Sequence, residues 1–468
     1  MGKRIWKLAM CALLLVGTSC VISCGGDDDP APSGSDSEGG GNKETTAMTP
    51  LQQKEYMQRV AENLINTLPA ADSKALAELG LFINEIYVKG YNWDNVGVWA
   101  KNGYAAACTF LSSTEEESGN PYYPVTYKNT FYSCTLLASN FLGKFTASAD
   151  GQWKYEKSDD LRFIFTDQNE APCELKLTTS GDVKKVHITD TENTDYKWGY
   201  DYNTGRYKDT VFTEHTTMTI GIPEKIEISL TQGGNQVMKT TITTQLDSLD
   251  GEEFNLALSN LSFSAKTELN NGCQLNLNQM AYTANKSAAI SFEMLKNGKS
   301  VVSVAISGDP RNIPSCNLSA FTVLGTSAAD FHSANALNAY AKIDILGQLQ
   351  LQGSLSDVAQ FAKYISEAEN YKYDEKNFKS YINQANGMLN NFGMYFNNTE
   401  TKQATVRLES FLETGWYNTY WKAEPVIEFC DGSSYSTFAA FFNENDFKNT
   451  ISAFTNMANQ YASLIRIQ

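Results

Sequence analysis

Two spacings of apolar residues separate the helical from the extended segments of this chain. Between residues 51 and 89, apolar side chains recur every three to four positions. This spacing places them on one side of a helix and predicts two amphipathic helices. Pro69 ends the first helix and Asp72 caps the second. Each helix has one apolar stripe, so both are expected to pack against another element.

From about residue 150 to 307 the apolar positions alternate with polar ones, most clearly from Leu261 to Leu269. The alternation indicates strands with one covered face, and a sheet of about ten such strands tends to curl. The predicted fold class is α+β: a large curved antiparallel β-sheet of about ten strands in a meander, with helices from both ends of the chain packed on its concave face. The N-terminal helices and this sheet occupy residues 51–335. Turn sequences separate the strands, at Gly233-Gly234-Asn235, Asn270-Asn271-Gly272 and Asn297-Gly298.

The last part of the chain, residues 336–468, mixes both patterns. A strand is predicted from Ile343 to Leu351, with a β-bulge at Gly347. Ser356 and Asp374 are each expected to cap a helix. This mixed α/β region either completes the same body or forms a second lobe.

The first residues of the chain are typical of a lipoprotein signal peptide. Basic Lys3, Arg4 and Lys7 precede a short apolar run that cannot span a bilayer. Val21-Ile22-Ser23 then gives the apolar, tolerant, small pattern of a lipoprotein signal peptidase site before Cys24. We predict a signal peptide over residues 1–23 and a diacylglyceryl, acylated Cys24, since two or more acyl chains hold a protein stably at a membrane. An ordinary secretory signal is the alternative.

Residues 24–50 are rich in Gly, Ser and Asp and nearly without apolar side chains, which predicts a disordered acidic tether. Asp27, Asp28 and Asp29 follow the lipidated cysteine closely. This acidic stretch resembles the export signal of Bacteroidota surface lipoproteins, a resemblance limited to the N-terminal part of the chain. It implies an outer-membrane anchor with the body facing the cell exterior. The alternative is a body that faces the periplasm.

The acidic balance of the chain limits its partners. The formal charge is −16 and becomes −19 when Lys3, Arg4 and Lys7 leave with the signal peptide. A chain with this charge repels phosphate backbones and anionic lipid surfaces. We therefore expect no nucleic-acid partner, and membrane contact through the N-terminal acyl chains only.

Six cysteines remain after Cys24: Cys108, Cys134, Cys173, Cys273, Cys316 and Cys430. An even number in an exported chain permits a full set of disulfides, whose pairing the sequence alone does not give. A core of this size needs no covalent cross-links, so we expect mostly buried thiols. Cys108 and Cys134 are the pair most expected to bridge.

The short motifs of common catalytic and metal sites are missing. The sequence contains no His-Glu-x-x-His, Cys-x-x-Cys, P-loop or Gly-x-Ser-x-Gly motif. The segment 201–209 resembles a calcium loop only loosely, because the acidic residue that closes such a loop is absent. We predict no catalytic residue, no metal site and no cofactor. Three histidines have no sequence partner that specifies catalysis: His187, His215 and His332.

The sharpest local feature is a row of aromatic residues at strand spacing: Tyr196, Trp198, Tyr200 and Tyr202. Side chains two positions apart on a strand share a face, so all four rings are expected on one side of the sheet. Such a row can stack on sugar rings, because C–H groups meet the electron-rich ring faces. The alternative is that the rings cover the sheet or pack under a loop.

Two further aromatic groups have the same two interpretations. Trp416 and Trp421 are candidate ligand-binding residues, with core packing as the alternative. Tyr91, Trp93 and Trp99 form a third and weaker group.

Two tripeptides, Asp209-Thr210-Val211 and Asp247-Ser248-Leu249, are similar to the O-glycosylation acceptor motif of Bacteroidota. The resemblance makes Thr210 and Ser248 candidate O-glycosylation sites.

Together these features favour a non-enzymatic cell-surface lipoprotein that binds a ligand, with a glycan as the expected ligand. One alternative is a carrier of a lipid or another apolar ligand, because the predicted sheet resembles half-barrel lipoprotein carriers in architecture. A glycan or ester hydrolase is the other alternative, since paired carboxylates need only be neighbours in space.

Overall fold

The computed structural model describes residues 48–67, 89–117, 125–167, 169–202, 205–313, 335–414, 418–429 and 435–437, and the single positions 448, 452, 455 and 456. The predictions for the signal peptide, Cys24, Asp27 to Asp29 and the tether lie outside these residues. The same holds for the second predicted helix and for His332, Cys316, Cys430 and Trp416.

The described residues form four α-helices, a short 3-10 helix at Ala138–Phe141 and eighteen β-strands. The helices are α1 (Pro50–Thr67), α2 (Asp94–Ala107), α3 (Val358–Asn370) and α4 (Glu375–Asn386). The strands are β1 (Cys108–Glu117), β2 (Val125–Leu136), β3 (Gly143–Ala147), β4 (Trp153–Glu156), β5 (Leu161–Thr166), β6 (Pro172–Asp201), β7 (Arg206–Gln232), β8 (Asn235–Asp247), β9 (Asn260–Leu269), β10 (Cys273–Thr283), β11 (Ser287–Lys296), β12 (Lys299–Arg311), β13 (Asn335–Ile345), β14 (Leu349–Asp357), β15 (Leu389–Phe396), β16 (Lys402–Thr414), β17 (Thr419–Phe429) and β18 (Tyr435–Thr437). None of the described helices is long and apolar enough to cross a membrane.

The strands belong to a large, mostly antiparallel open sheet, as the sequence predicts. The predicted number of about ten strands is wrong, because the sheet has eighteen. Two pairs, β2–β7 and β3–β5, are parallel. Some of the uncounted strands, such as β1, are rich in Thr, Ser and Glu. Such strands show no alternation of apolar and polar residues, which is the signal that the count relied on.

The chain folds into two compact units, each with most of its residue contacts inside itself. The hairpin unit contains residues 85–260 and therefore α2 and β1–β8. The meander unit contains residues 261–313 and 333–468 together with the N-terminal segment, and therefore α1, α3, α4 and β9–β18. Each unit is described by itself.

In the meander unit each strand from β9 to β18 pairs antiparallel with the next. The strand predicted from Leu261 to Leu269 is confirmed as β9, and tight turns with positive φ angles occur at Gly272 and at Asn297-Gly298. Gly347 is not a bulge. It lies in the turn between β13 and β14 with a φ of 66°, where two separate strands replace the single predicted one.

The helices of the meander unit share one face of its sheet. Met57 of α1 packs against Met394, Ala404 and Ile427. Residues of α3 and α4 pack around Leu408. Ala404 and Leu408 are four positions apart on β16 and so point the same way. An N-terminal helix and two C-terminal helices thus contribute to the core on the same face of this sheet.

Capping residues fix the starts of α3 and α4. Asp374 caps α4 as predicted, since its carboxylate accepts from the Asn377 N–H at 3.1 Å. The cap of α3 is Asp357 rather than the predicted Ser356, because β14 continues one residue further before the helix starts. Burial alone would raise the pKa of Asp357, but hydrogen bonds, among them one from the Gln360 N–H, outweigh it and lower the pKa below its ordinary value.

In the hairpin unit β7 is the central strand. It pairs antiparallel with β6 along most of its length, parallel with β2 from Asp209 to Ile220, and antiparallel with β8 from Lys225 to Gln232. Cys108 of β1 and Cys134 of β2 are directly opposite each other and form a disulfide, with 4.0 Å between their Cα atoms. This confirms the predicted pair. Elsewhere in the described chain Cys173 and Cys273 are buried, also as predicted.

A packed aromatic cluster forms a core against β3, β4 and β5 of this unit. Phe145 and Trp153 are 0% and 1% exposed. The Phe145 ring stacks on Phe163 at 5.0 Å and meets the Trp99 ring of α2 edge-on. Tyr91 and Trp93 lie 5.3 and 5.1 Å from Trp153, so the third aromatic group of the sequence packs against this core, with Tyr91 and Trp99 half-buried and Trp93 partly exposed at its edge.

Candidate functional site

The candidate site lies at the turn end of the β6–β7 hairpin, which the sequence extends unusually far. β6 has 30 residues and β7 has 27, and they pair from Cys173 opposite Gln232 to Asp201 opposite Arg206. Gly205 takes a φ of 68° in the connecting turn, a conformation that glycine adopts without the steric cost of a Cβ. β2 pairs with β7 only from Asp209 to Ile220, so among the described residues the turn end of the hairpin, from Tyr200 opposite Tyr207 to Asp201 opposite Arg206, is a two-stranded ribbon.

Aromatic rings share one face of this ribbon. Tyr196, Trp198 and Tyr200 alternate along β6, and Tyr207 is directly opposite Tyr200 on β7. Cross-strand partners point to the same face, so these four residues define what we call the ring face. Tyr202 follows in the turn.

The rings of this group are open to solvent. Tyr196 is 74% exposed, Trp198 68%, Tyr200 44% and Tyr207 41%, while Tyr202 in the turn is 90% exposed. The predicted row of rings therefore neither covers a core nor packs under a loop.

Ring contacts connect four of these five residues. Trp198 and Tyr207 are stacked, with centroids 4.4 Å apart and planes within 4°. Tyr200 meets Tyr207 edge-on at 5.0 Å and Tyr202 edge-on at 5.2 Å. Because Tyr207 covers one face of the indole, the exposed surface of Trp198 is its other face and its edges.

A carboxylate lies at the base of the ring face. Asp209 is directly opposite Trp198 on β7, and Val125 of β2 is its neighbour on the other side. Its Oδ1 atom is buried and has no hydrogen-bond partner. Because this oxygen is shielded from solvent, a ligand cannot reach it in this conformation.

Further along the same face the sheet becomes wider and more polar. His215 of β7 stacks on Phe131 of β2 at 4.6 Å, and its Nδ1 atom lies 3.4 Å from Glu192 Oε2. Between these residues and the rings, Val211 is buried opposite Tyr196.

The opposite face of the hairpin has a different chemistry. Phe212 is positioned there with the Nζ atoms of Lys128 and Lys197 at 5.5 and 5.1 Å from its ring centroid. Asp195, its cross-strand partner, accepts a hydrogen bond from the Tyr196 N–H. Lysine and aromatic groups are thus paired on this face, while the ring face combines aromatic rings with an unpaired acceptor.

Trp421 occupies a different environment in the meander unit. It packs against the core formed by Phe378 and Ile382 of α4, and Lys379 Nζ lies 4.3 Å from its ring centroid. Its position in β17 favours the packing alternative, so we do not include it in the site.

The two candidate glycosylation residues differ in accessibility. Ser248 is exposed in a bend after β8, with a φ of 59°. Thr210 is half-buried within β7, between Lys197 of β6 and Thr126 of β2.

The remaining polar candidates stay apart from the ring face. Glu252 and Glu253 follow β8 and approach β6, where the His187 N–H donates to the Glu252 carbonyl and Glu253 Oε1 lies 4.0 Å from His187 Nε2. Among the described residues no group of three or more His, Cys, Asp or Glu side chains is arranged to hold a metal ion.

Sequence reasoning missed Tyr207 and the role of Asp209. A signal for both was present, because a tight hairpin turn that ends at Gly205 places Tyr207 and Asp209 opposite Tyr200 and Trp198. The hairpin register, rather than spacing along one strand, brings them into the site. Comparison of the chain with protein-family models, curated proteins and solved structures gives no significant match.

Proposed function

We propose that this protein is a lipid-anchored binding protein of the outer surface, and that the ring face binds a glycan. The observation that supports the proposal is the exposure of five aromatic residues at the end of one hairpin, four of which contact one another. Contiguous apolar surface of this kind typically marks an interaction site.

The chemistry of a saccharide fits this surface. A pyranose presents axial C–H groups on one face, and these are attracted to the negative face of an aromatic ring. The same sugar carries hydroxyl donors around its edge. The exposed face of Trp198 offers the first contact, and the phenol hydroxyls of the exposed Tyr196 and Tyr202 offer hydrogen-bonding groups for the second.

Other ligands that stack on aromatic rings fit less well. Proteins that bind single-stranded nucleic acid combine such rings with a positively charged groove. This chain carries a formal charge of −16, which disfavours phosphate backbones.

The proposed location on the outer surface rests on the N-terminal sequence, and the disulfide supports it. Cys24 follows a lipoprotein signal pattern, and Asp27 to Asp29 resemble an export signal. Disulfides such as Cys108–Cys134 persist in oxidising compartments outside the cytosol. A protein that carries both features fits a body held outside the inner membrane.

A panel of polysaccharides tests the binding proposal. The detergent-solubilised full chain is immobilised and probed with xylan, mannan, starch, laminarin and hydroxyethylcellulose. We expect at least one of them to bind. Aromatic stacking on bases contributes about 1 to 3 kcal/mol per ring, and a similar contribution predicts that Trp198→Ala weakens binding by about tenfold or more.

Tyr373→Ala is the matched control, because Tyr373 is an exposed tyrosine of the meander unit. It should leave binding unchanged. The proposal fails if no polysaccharide binds the parent protein, or if the double variant Tyr196→Ala/Trp198→Ala binds as well as the parent. A lipid that co-purifies in native mass spectrometry would favour the carrier alternative instead.

Membrane fractionation and surface proteolysis test the location. Cys24→Ser should release the body from membranes, since it removes the thiol that carries the acyl chains. Replacing Asp27, Asp28 and Asp29 with Ala should keep the protein on the membrane but protect it from protease added to intact cells. Unchanged membrane association of Cys24→Ser would contradict the anchor.

For O-glycosylation, the accessible bend makes Ser248 the better acceptor than the half-buried Thr210. We expect Ser248→Ala to remove a glycan mass and Thr210→Ala to leave the mass of the remaining glycan unchanged. Intact-protein mass spectrometry measures both.

A further inference from the structure

The apolar face of the meander sheet continues beyond the helices that cover part of it. Cross-strand partners point to the same face of a sheet, and such pairs connect one row of residues from β9 to β17. The row consists of Ala265, Leu277, Phe292, Val304, Ile343, Leu351, Met394, Ala404 and Phe429. Every side chain in it is apolar, so the whole row gains from being covered.

The two ends of this row differ in cover. On β15 to β17 the row lies under α1, and its residues are 0 to 3% exposed. On β10 and β11 the same face is open to solvent, since Met280, Ile290 and Phe292 are 36, 41 and 38% exposed. The packing contacts of α1, α3 and α4 lie on β13 to β17. The exposed part of the face therefore begins where these contacts end.

The direction of α1 brings the chain to the edge of this exposed part. Near the start of the helix, Gln53 Nε2 donates to the Gln403 carbonyl of β16 at 2.6 Å. Near its end, Asn63 Nδ2 donates at 3.2 Å to Gln348 Oε1, in the turn between β13 and β14. The helix thus advances from β16 towards β13 and ends at Thr67.

The sequence that follows α1 fits the exposed part in polarity and length, although it lies outside the described residues. Its apolar residues recur at helical spacing: Leu76, Leu79, Ile83 and Ile86. Its charged residues after the predicted cap fall on the other side of such a helix: Lys74, Glu78 and Glu85. At about 1.5 Å per residue a helix over residues 73–86 is about 21 Å long, and β9 to β13 span about 19 Å at about 4.8 Å per strand.

We infer that residues 73–86 dock as an amphipathic helix on the exposed part of the apolar face, over β9 to β13. This occupant is favoured because the surface is continuous with the one that α1 covers, and because the chain reaches it at the end of α1. A face covered by the chain's own helix is not free for a lipid. The docking therefore disfavours the carrier alternative and leaves the ring face of the hairpin unit as the binding surface.

Photo-cross-linking of the purified full chain tests which segment covers the face. Benzoylphenylalanine in place of Phe292 reacts with C–H bonds that lie against it, and peptide mass spectrometry identifies the partner. We expect intramolecular cross-links to residues 73–86. The control is the same group in place of Glu293, the next residue of β11 on the opposite face, which should give no cross-link to this segment.

Every other occupant would be visible in the same experiment and would overturn the inference. Cross-links to residues 446–465 would assign the face to the end of the chain. A cross-linked dimer would assign it to a second copy, and an adduct with a co-purified phospholipid would favour the carrier alternative. If no cross-link forms at position 292, the face is open to water and the docking is wrong.

Peroxide oxidation of methionines tests the apolar stripe in a second way. Ile83→Asp places a charge in the stripe and should raise the oxidation rate of Met280 several-fold, because thioether oxidation depends on access. Met394, which is 1% exposed under α1, should keep the rate of the parent protein. Ala77→Asp adds the same charge on the other side of the predicted helix and should change neither rate.

The two methionines separate undocking from unfolding. An unchanged rate for Met280 in Ile83→Asp would contradict the docking. Faster oxidation of both Met280 and Met394 would mean that the whole unit opens in this variant, and the cross-links of the otherwise unaltered chain then decide.

Discussion

Two groups of aromatic residues in the hairpin unit have similar ring contacts and opposite exposure. Around Phe145 and Trp153 the rings lie about as close together as those of the ring face, at centroid distances of 5.0 to 5.5 Å. Yet Trp153 is 1% exposed, whereas Trp198 is 68% exposed. Ring-to-ring contact therefore does not distinguish a core from a binding surface.

The difference arises from what lies on the other side of the rings. Trp99 of α2 packs edge-on against Phe145, and Tyr91 and Trp93, which precede that helix, lie against Trp153. The ring face instead lies at the end of the β6–β7 hairpin, where its rings are exposed and Tyr200 and Tyr207 extend past the start of β2. A helix that packs over one set of strands thus encloses their aromatic rings in a core, whereas the end of an extended hairpin leaves its rings exposed to solvent.

The largest expected effect comes from truncating the same residue type in the two groups. Trp153→Ala should destabilise the protein by about 3 to 5 kcal/mol, because it opens a cavity in a closed core. Trp198→Ala should change stability by no more than about 0.5 kcal/mol, as is usual at exposed positions. Chemical denaturation of both variants measures the difference. A similar loss for both would mean that the ring face is a structural element.

The disulfide is expected to have the next largest effect. Cys108 and Cys134 are 26 positions apart, and closing a loop of this size stabilises a protein by about 3 kcal/mol. We therefore expect the double variant Cys108→Ser/Cys134→Ser to lower the denaturation midpoint. Reducing agent should lower the midpoint of the parent and leave the variant unaffected. An unchanged parent midpoint under reducing conditions would contradict a bridge that stabilises the fold.

The ionic core of the same unit gives a smaller, pH-dependent effect. Asp160 accepts from Arg162 at 2.5 and 2.7 Å and from Ser158 at 2.8 Å, and Lys176 Nζ lies 3.2 Å away. The hydrogen bonds from Arg162 lower the pKa of Asp160 well below its ordinary value, despite burial. Asp160→Asn should cost about 2 kcal/mol near neutral pH, in line with hydrogen bonds to charged groups.

The sign of the pH dependence follows from the direction of that shift. A carboxyl whose pKa is lower in the folded state stabilises the fold above its unfolded pKa, which is about 4. This contribution is lost as the pH falls through the folded value. The parent and Asp160→Asn should thus converge in stability on acidification, as measured by urea denaturation from pH 7 to pH 2. Asp195→Asn is the exposed control, and a constant difference across this range would contradict the assignment.

The smallest expected effect concerns the stacked pair in the ring face itself. A double-mutant cycle with Trp198→Ala and Tyr207→Ala should give a coupling energy of about 0.5 to 1.5 kcal/mol, the usual value for an aromatic pair. A negligible coupling would mean that the two rings do not hold each other in place. The binding surface would then form only with its ligand.

Several elements of the fold were predictable because their signals are local. The helix α1 follows from apolar spacing, β9 from alternation, and the turn at Asn297-Gly298 from its sequence. Asp374 was recognisable as a cap, while Ser356 and Asp357 were too similar as capping residues for the sequence to choose between them. The strand β1 gave no such signal, since most of its residues are polar on both faces.

Local residue order by itself determined the aromatic row, the likeness of residues 21–29 to a lipoprotein signal, and some of the segments that become strands, such as β9. Tertiary structure alone decided that the row faces water, that Tyr207 and Asp209 join it, and that Phe145 and Trp153 are enclosed in a core instead. The physical reason is that spacing along a strand sets only the face on which a side chain lies. Whether that face is covered depends on which distant segment packs against it.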